Sequence, residues 1–283
     1  PSIADLAEQL GAKDTAGEPL RIGAAYRLAA VGSSDAIERL TAALYADRES
    51  IRRAATYGLI AAGERATEVF LSAADSPLKW VRKAGVFGLG AAALPSAETL
   101  DKLLERLRDD TSVYVRSVAA DAIGCLGRRM VADRADLASI PAAIDALITS
   151  AEQESNRIGM NIAQGRSIKF VRPTDDSDVC EGIGIDYGVE RFEPVRSAVR
   201  ENALASVVIL CSHGRELVGI RLSAFIDRLV AIVRTDPNVF CVGYATDAVA
   251  RLQRGDAVNS KARIDALRSV LSAAPIRSWE PLA

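Results

Sequence analysis

Apolar residues recur at three- and four-residue spacings along most of this chain, the interval that lines one face of an α-helix. Two kinds of helical stretch alternate, joined by short turns. The pattern predicts pairs at 2–12 with 18–31, 35–46 with 49–62, 66–75 with 78–93, and 97–108 with 112–130. Two more follow at 140–153 with 194–212 and 222–235 with 238–254. A closing helix over 260–272 carries Lys261, Arg263, Asp265 and Arg268, the solvated outer face that a terminal repeat needs.

The second helix of each pair, helix B, carries a signature. It opens on Leu20-Arg21, Ile51-Arg52, Val81-Arg82, Val115-Arg116 and Val199-Arg200. With the aliphatic residue as position 0, position 4 is small (Ala24, Ala55, Gly85, Ala119, Ala203) and position 8 aliphatic (Leu28, Leu59, Leu89, Ile123, Val207). Positions 0, 4 and 8 share a face, and the small middle residue lets a neighbouring helix come close. The period over the first four copies is 31, 30 and 34 residues. Asp47, Asp75 and Asp110 precede three copies, placed to cap the helix and to pair with the Arg one turn in, and the arginine column is expected to form an Asp–Arg hydrogen-bonded ladder between repeats. The last copy is looser: Val239 opens it, Phe240 takes the arginine's place, and the apolar register slips toward Val249.

This unit resembles the HEAT-repeat family, in particular the short HEAT-like repeats first associated with phycobilisome lyases. The resemblance rests on Asp47 with Ile51-Arg52, Asp75 with Val81-Arg82, Asp110 with Val115-Arg116 and the Val199-Arg200 copy. It implies an all-α, right-handed α–α superhelix of about six helix pairs, one repeat domain over 1–283. It also implies that the B helices line the concave side. Such solenoids serve as scaffolds, chromophore lyase subunits, oxidases and DNA-repair proteins, so fold alone does not give function.

One stretch breaks the helical period. Between the two helices of the fifth pair, residues 155–194 form an insertion. Ile158, Met160 and Ile162 alternate with Gly159 and Asn161; Gly165 precedes Ile168 and Phe170; Ile183, Ile185, Tyr187 and Val189 alternate with Gly184, Asp186 and Gly188. Period-2 runs between Gly, Pro and Asp clusters predict a small β-hairpin or three-stranded flap. Asp175, Asp176, Asp178 and Glu181 miss the calcium-loop spacing and read as a solvated turn. Gly182, Gly184 and Gly188 miss the dinucleotide fingerprint, and Cys180 beside carboxylates is a poor thiolate.

Composition narrows the function. Residues counted as hydrophobic make up 49% of the 283 but aromatics only 5%, so the core is aliphatic and small, as stacked helices require. Thirty-five basic against 37 acidic residues give a net charge of −2, which argues against a general positive field for nucleic acid. Cys125, Cys180, Cys211 and Cys241 are scattered and read as reduced, mostly buried thiols. No secretory leader or run long enough to span a membrane is visible, so a cytoplasmic location is expected. The chain starts at Pro1 without a methionine, as a processed or excised chain would. A single histidine, His213, cannot supply the paired ligands of the di-iron HEAT-like hydroxylases; at a helix end before Gly214 it is expected to meet the last carbonyls.

No catalytic or metal-ligating set and no cofactor emerges. Binding residues do. Position 6 of helix B is Tyr26, Tyr57, Phe87 and then Asp121; position 2 is Ile22, Arg53, Lys83, Ser117 and, in the fifth copy, Glu201. Trp80 and Tyr114 stand just before their aliphatic-Arg pairs. Equal positions in successive repeats stack into columns, so an aromatic strip beside Arg53 and Lys83 is expected to bind a protein partner, helped by the insertion. The resemblance offers two alternatives: a lyase-like subunit holding a bilin, and a DNA-repair glycosylase, which would need more basic residues than Arg53 and Lys83.

Overall fold

The apolar line of helix B is buried in every copy except at the chain's start. Ile51, Ala55 and Leu59, then Val81 and Leu89, then Val115, Ala119 and Ile123 are all sequestered, as are Val199, Ala203 and Val207. Leu20 alone of the position-0 residues is exposed, while Arg21 beside it is buried. In the computed structural model, residues 1–12, 17–163, 167–171, 182–186, 192–194, 198–213, 215–236 and 239–254 are described, with side chains outside 154–198, 213–216, 237–239 and 254. The chain divides into two compact units, 1–135 and 136–283.

The first unit holds four helix pairs: α1 (Ile3–Gly11) with α2 (Glu18–Val31), α3 (Ser34–Ala43) with α4 (Glu49–Ala62), α5 (Thr67–Ala74) with α6 (Lys79–Ala91), and α7 (Ala97–Asp109) with α8 (Val113–Asp133). The first helices of three pairs start on serine caps. The Ser2 hydroxyl accepts from the Asp5 N–H while Asp5 accepts from the Ser2 N–H; Ser33 and Ser96 accept from Ala36 and Thr99. Gly32, in the left-handed region at φ 63°, ends α2.

Helices α4, α6 and α8 have no side-chain cap, and the signature arginine fastens the entering turn instead. Arg52 Nη1 donates to the carbonyls of Ala46 and Asp47 at 2.9 and 2.6 Å. Arg82 Nη1 donates to Ser76 and Pro77, and Arg116 Nη1 to Asp110 and Thr111. These acceptors lie at positions −5 and −4 in all three repeats. The aspartates are not used in one register. Asp110, at −5, bridges back to Arg82 with both oxygens, 2.8 Å from Nε and 3.0 Å from Nη2, and accepts from the Ser112 N–H. Asp75, at −6, instead takes Lys102 at 3.0 Å, and Asp47, at −4, serves Arg52 with its carbonyl. These carboxylates do not pair with the arginine one turn in; the inter-repeat rung expected of the ladder is found from Asp110 to Arg82, where aspartate stands at −5.

The second unit contains α9 (Ile140–Ala163), α10 (Ala198–His213), the short α11 (Arg215–Val218), α12 (Leu222–Thr235) and α13 (Val239–Arg254). Helix α9 runs ten residues beyond its expected end at 153, so the predicted strand at Ile158–Ile162 is helix. Nothing between 153 and 163 breaks a helix except one glycine, and Gly165 lies just past its end. Strands β1 (Ser167–Val171), β2 (Gly182–Asp186) and β3 (Phe192–Pro194) form an antiparallel sheet in that order, with Ile168 opposite Ile185 and Phe170 opposite Ile183. The acidic turn with Cys180 and Glu181, together with Tyr187–Val189 and the closing helix at 260–272, lies outside the described residues. Helix α13 carries its core line two residues later than expected, on Cys241, Ala245 and Val249, all buried. In that register Asp236 stands at −5, and it accepts from Arg200 Nη1 at 2.6 Å, both side chains being fully buried.

Candidate functional site: the exposed face of the B helices

Helices α2, α4, α6 and α8 follow one another within the first unit, so equal positions on them recur side by side. Their buried faces leave positions 2, 6 and 10 toward solvent. Tyr26, Tyr57 and Phe87 keep 49%, 37% and 39% of their surface exposed. Rings packed between neighbouring helices would lose most of that area, so these three lie on the face rather than within it. Beyond them Ala30, Ala61 and Ala91 are exposed too, giving the rings a low rim of methyl groups that the sequence reading did not single out. Ile22 is half-buried, and the position-2 column ends early because Ser117 is buried. Glu201 is also buried, in the second unit, and does not extend the strip.

The two cations of the strip are engaged. Arg53 forms an ion pair with Glu18 of α2, and that hydrogen bond raises the guanidinium's pKa. Lys83 Nζ stands 5.5 Å from the ring centre of Tyr114, on the next B helix. Arg52 lies over Trp80 in the same way, at 5.2 Å. The expected second column, Trp80 and Tyr114, is thus where cations of the preceding helix land. Phe240 belongs to this class as well: in the corrected register it stands at −1 like Trp80 and Tyr114, and it is exposed. Counting from the buried line rather than from the first valine would have revealed it.

Asp121 ends the position-6 column. It reaches solvent, yet enough protein surrounds it that desolvation raises its carboxyl above the usual aspartate value. Cys125, one turn on, is half-buried, and burial together with the Asp121 charge pushes its thiol up. Cys211 is pushed up to about 12 by burial. Neither is suited to nucleophilic work. The side chain of His213 lies outside the described residues, although α10 does end on it.

In the second unit Arg228 of α12 joins α9 at three points: Glu152 at 2.9 and 2.6 Å, Asp145 at 2.5 Å and Thr149 at 2.8 Å. These partners lie at spacings of four and three residues on one helical face, a signal that an i, i+4, i+7 polar count would have exposed. An open hollow of about 300 Å³ is lined by Ala138, Pro141, Ala142, Leu217, Val218 and Ile220, with Gly219 and Arg221 beside it.

No protein-family model and no curated protein matches the sequence. Among solved structures, Kap95p, described in its binding to RanGDP, superposes with a TM-score of 0.53 at 12% identity, over 95% of this chain and 32% of that one. The fold is a HEAT-like helical repeat. This chain spans about a third of Kap95p's length. The Escherichia coli protein YibA superposes at 0.48 with 14% identity, covering 88% of this chain and 76% of its own. The CpcE–CpcF phycocyanin lyase of a Nostoc species reaches 0.36 with 16% identity over 95% of each chain, too low for an argument about bilin. Among the described residues no helix is long and apolar enough to cross a membrane.

Proposed function

We propose that this protein is a non-catalytic helical-repeat scaffold, one array over 1–283, that binds a protein partner through the exposed B-helix face, with the 155–194 insertion contributing. One observation carries the reading: three rings at equal positions on successive B helices each keep more than a third of their surface exposed. An aromatic side chain that the fold leaves outside at three successive repeats is area available for contact, and aromatic anchors dominate binding energy at protein interfaces. Kap95p, which shares the fold, is described as binding RanGDP. Arg53 tied to Glu18 and Lys83 tied to a ring leave little unshared charge for a phosphate backbone, which weighs against the DNA-repair alternative. No feature of the described residues favours a bilin over a protein.

The test is affinity capture with the wild-type chain and with a Tyr57→Ala, Phe87→Ala, Arg53→Ala triple variant. The variant is expected to keep its helical circular dichroism and to lose a partner that the wild type retains at tenfold lower bait concentration. Unchanged capture by a folded variant would remove this face from the function. Titration with a bilin runs in parallel, and a shifted absorption band that the triple variant abolishes would replace the protein reading with the chromophore one.

A further inference from the structure

The B helices of the first unit are not evenly joined. Helices α2 and α4 lie closely along one another, and so do α6 and α8, whereas α4 approaches α6 over only a short stretch. The two tight contacts share a cause. A Cβ on Gly58 of α4 would lie 3.0 Å from the Ala25 Cβ and from the Ala25 carbonyl oxygen of α2; one on Gly90 of α6 would lie 2.6 Å from the Cα of Ala122 in α8. Each glycine lets the next backbone reach van der Waals contact. Between α4 and α6 no glycine plays that part, because Gly85 and Gly88 of α6 face α5 and its Phe70, inside their own pair. At position 5, where α2 and α8 carry Ala25 and Ala120, α4 and α6 carry the bulkier Thr56 and Val86.

Polar ties add to the two tight contacts. The guanidinium of Arg65, in the turn after α4, donates to the carbonyls of Ala29 and Gly32 at the end of α2. Arg82 of α6 reaches Asp110 before α8, and Lys102 of α7 reaches Asp75 before α6. Across α4 and α6, Arg52 meets Trp80, a contact at an exposed ring.

We infer that residues 1–135 are built as two cooperative blocks, α1–α4 and α5–α8, jointed between α4 and α6, and that this joint sets the separation of Tyr57 from Phe87. In a repeat array stability is a sum of units and nearest-neighbour interfaces, so the thinnest interface is where one block opens while its neighbour stays folded. The block structure itself does not depend on any binding role; only its consequence for the ring separation rests on the reading of the B-helix face.

The experiment is amide hydrogen exchange by mass spectrometry on the full chain carrying Gly90→Ala or Gly58→Ala, each of which presses a methyl group into one tight contact. Gly90→Ala is expected to speed exchange in α5–α8 at least tenfold and leave α1–α4 within twofold of wild type; Gly58→Ala is expected to do the reverse. Equal acceleration of both blocks by either change overturns the joint. If a variant does not fold, wild-type exchange at rising urea decides. Two families of amides, divided between α4 and α5 and opening at separate denaturant dependences, support the joint, and one common opening for all eight helices refutes it. Neither arm involves a partner, so failure of the binding reading leaves this test intact.

Discussion

The same rung is built twice, once near the rim of the first unit and once in the interior of the second. In both, a helix-B arginine reaches the aspartate at position −5 of the following repeat. Arg82 keeps 12% of its side chain exposed, grips both oxygens of Asp110, and gives a third side to the Ser76 and Pro77 carbonyls. Arg200 and Asp236 are shut away from water altogether. Identical sequence logic therefore yields two different energetic objects. At the rim, a guanidinium that loses its carboxylate can turn partly to water and keep its carbonyls; in the interior, water cannot take the place of the lost carboxylate.

The largest effect should come from breaking the interior rung. Asp236→Ala is expected to cost about 3–5 kcal/mol, the range for removing one partner of a buried ion pair. Urea unfolding measures it, and a loss below about 1 kcal/mol would mean that the pair is not sealed from solvent. Asp110→Ala should cost less, about 1.5–3 kcal/mol, from charge-assisted hydrogen bonds lost while Arg82 retains its other acceptors. If Asp110→Ala proves the costlier of the two, burial does not rank these rungs and the comparison fails.

A smaller, opposite effect sharpens the contrast between paired and unpaired carboxylates. Desolvation raises the pKa of Asp121 in the folded chain above its ordinary 3.8. The folded state then holds its proton more tightly than the unfolded state. Ionised Asp121 thus destabilises the fold above its raised pKa, and the penalty disappears below 3.8. Asp121→Asn should raise the melting midpoint slightly at pH 7 and match the wild type near pH 3. Melting curves at the two pH values decide it, and a variant that is less stable at pH 7 would show that the carboxylate has a partner.

Helix positions were legible in the sequence because burial in a repeat array imposes a strict 3.6-residue period. The spans 18–31, 49–62 and 222–235 recur unchanged as α2, α4 and α12. Where two periods compete, the reading failed. Ile158, Met160 and Ile162 alternate as a strand would, yet nothing stops α9 before Ala163 and the helix continues through them. The rungs were legible as residue types more than as pairs, since Asp47, Asp75 and Asp110 stand at three offsets, −4, −6 and −5, in the turns that precede their helices. With those offsets Asp75 meets Lys102 and Asp110 meets Arg82. For the candidate face, the columns Tyr26, Tyr57 and Phe87 followed from the repeat alone. The partners that occupy Arg53 and Lys83 did not, because Glu18 and Tyr114 sit on neighbouring helices, 35 and 31 residues away.

The split grip of Arg82 also has a meaning in time. Its bonds to Ser76 and Pro77 reach back six and five residues, whereas Asp110 is made 28 residues later. At a synthesis rate of about 5–20 residues per second, the carboxylate leaves the ribosome roughly 1–6 s after the arginine. During that interval the guanidinium can already fasten its own turn while its outward side waits. Each repeat of this kind thus has its entering turn fastened first and its rung closed by its successor, which makes the order of synthesis and the order in which these bonds can form the same.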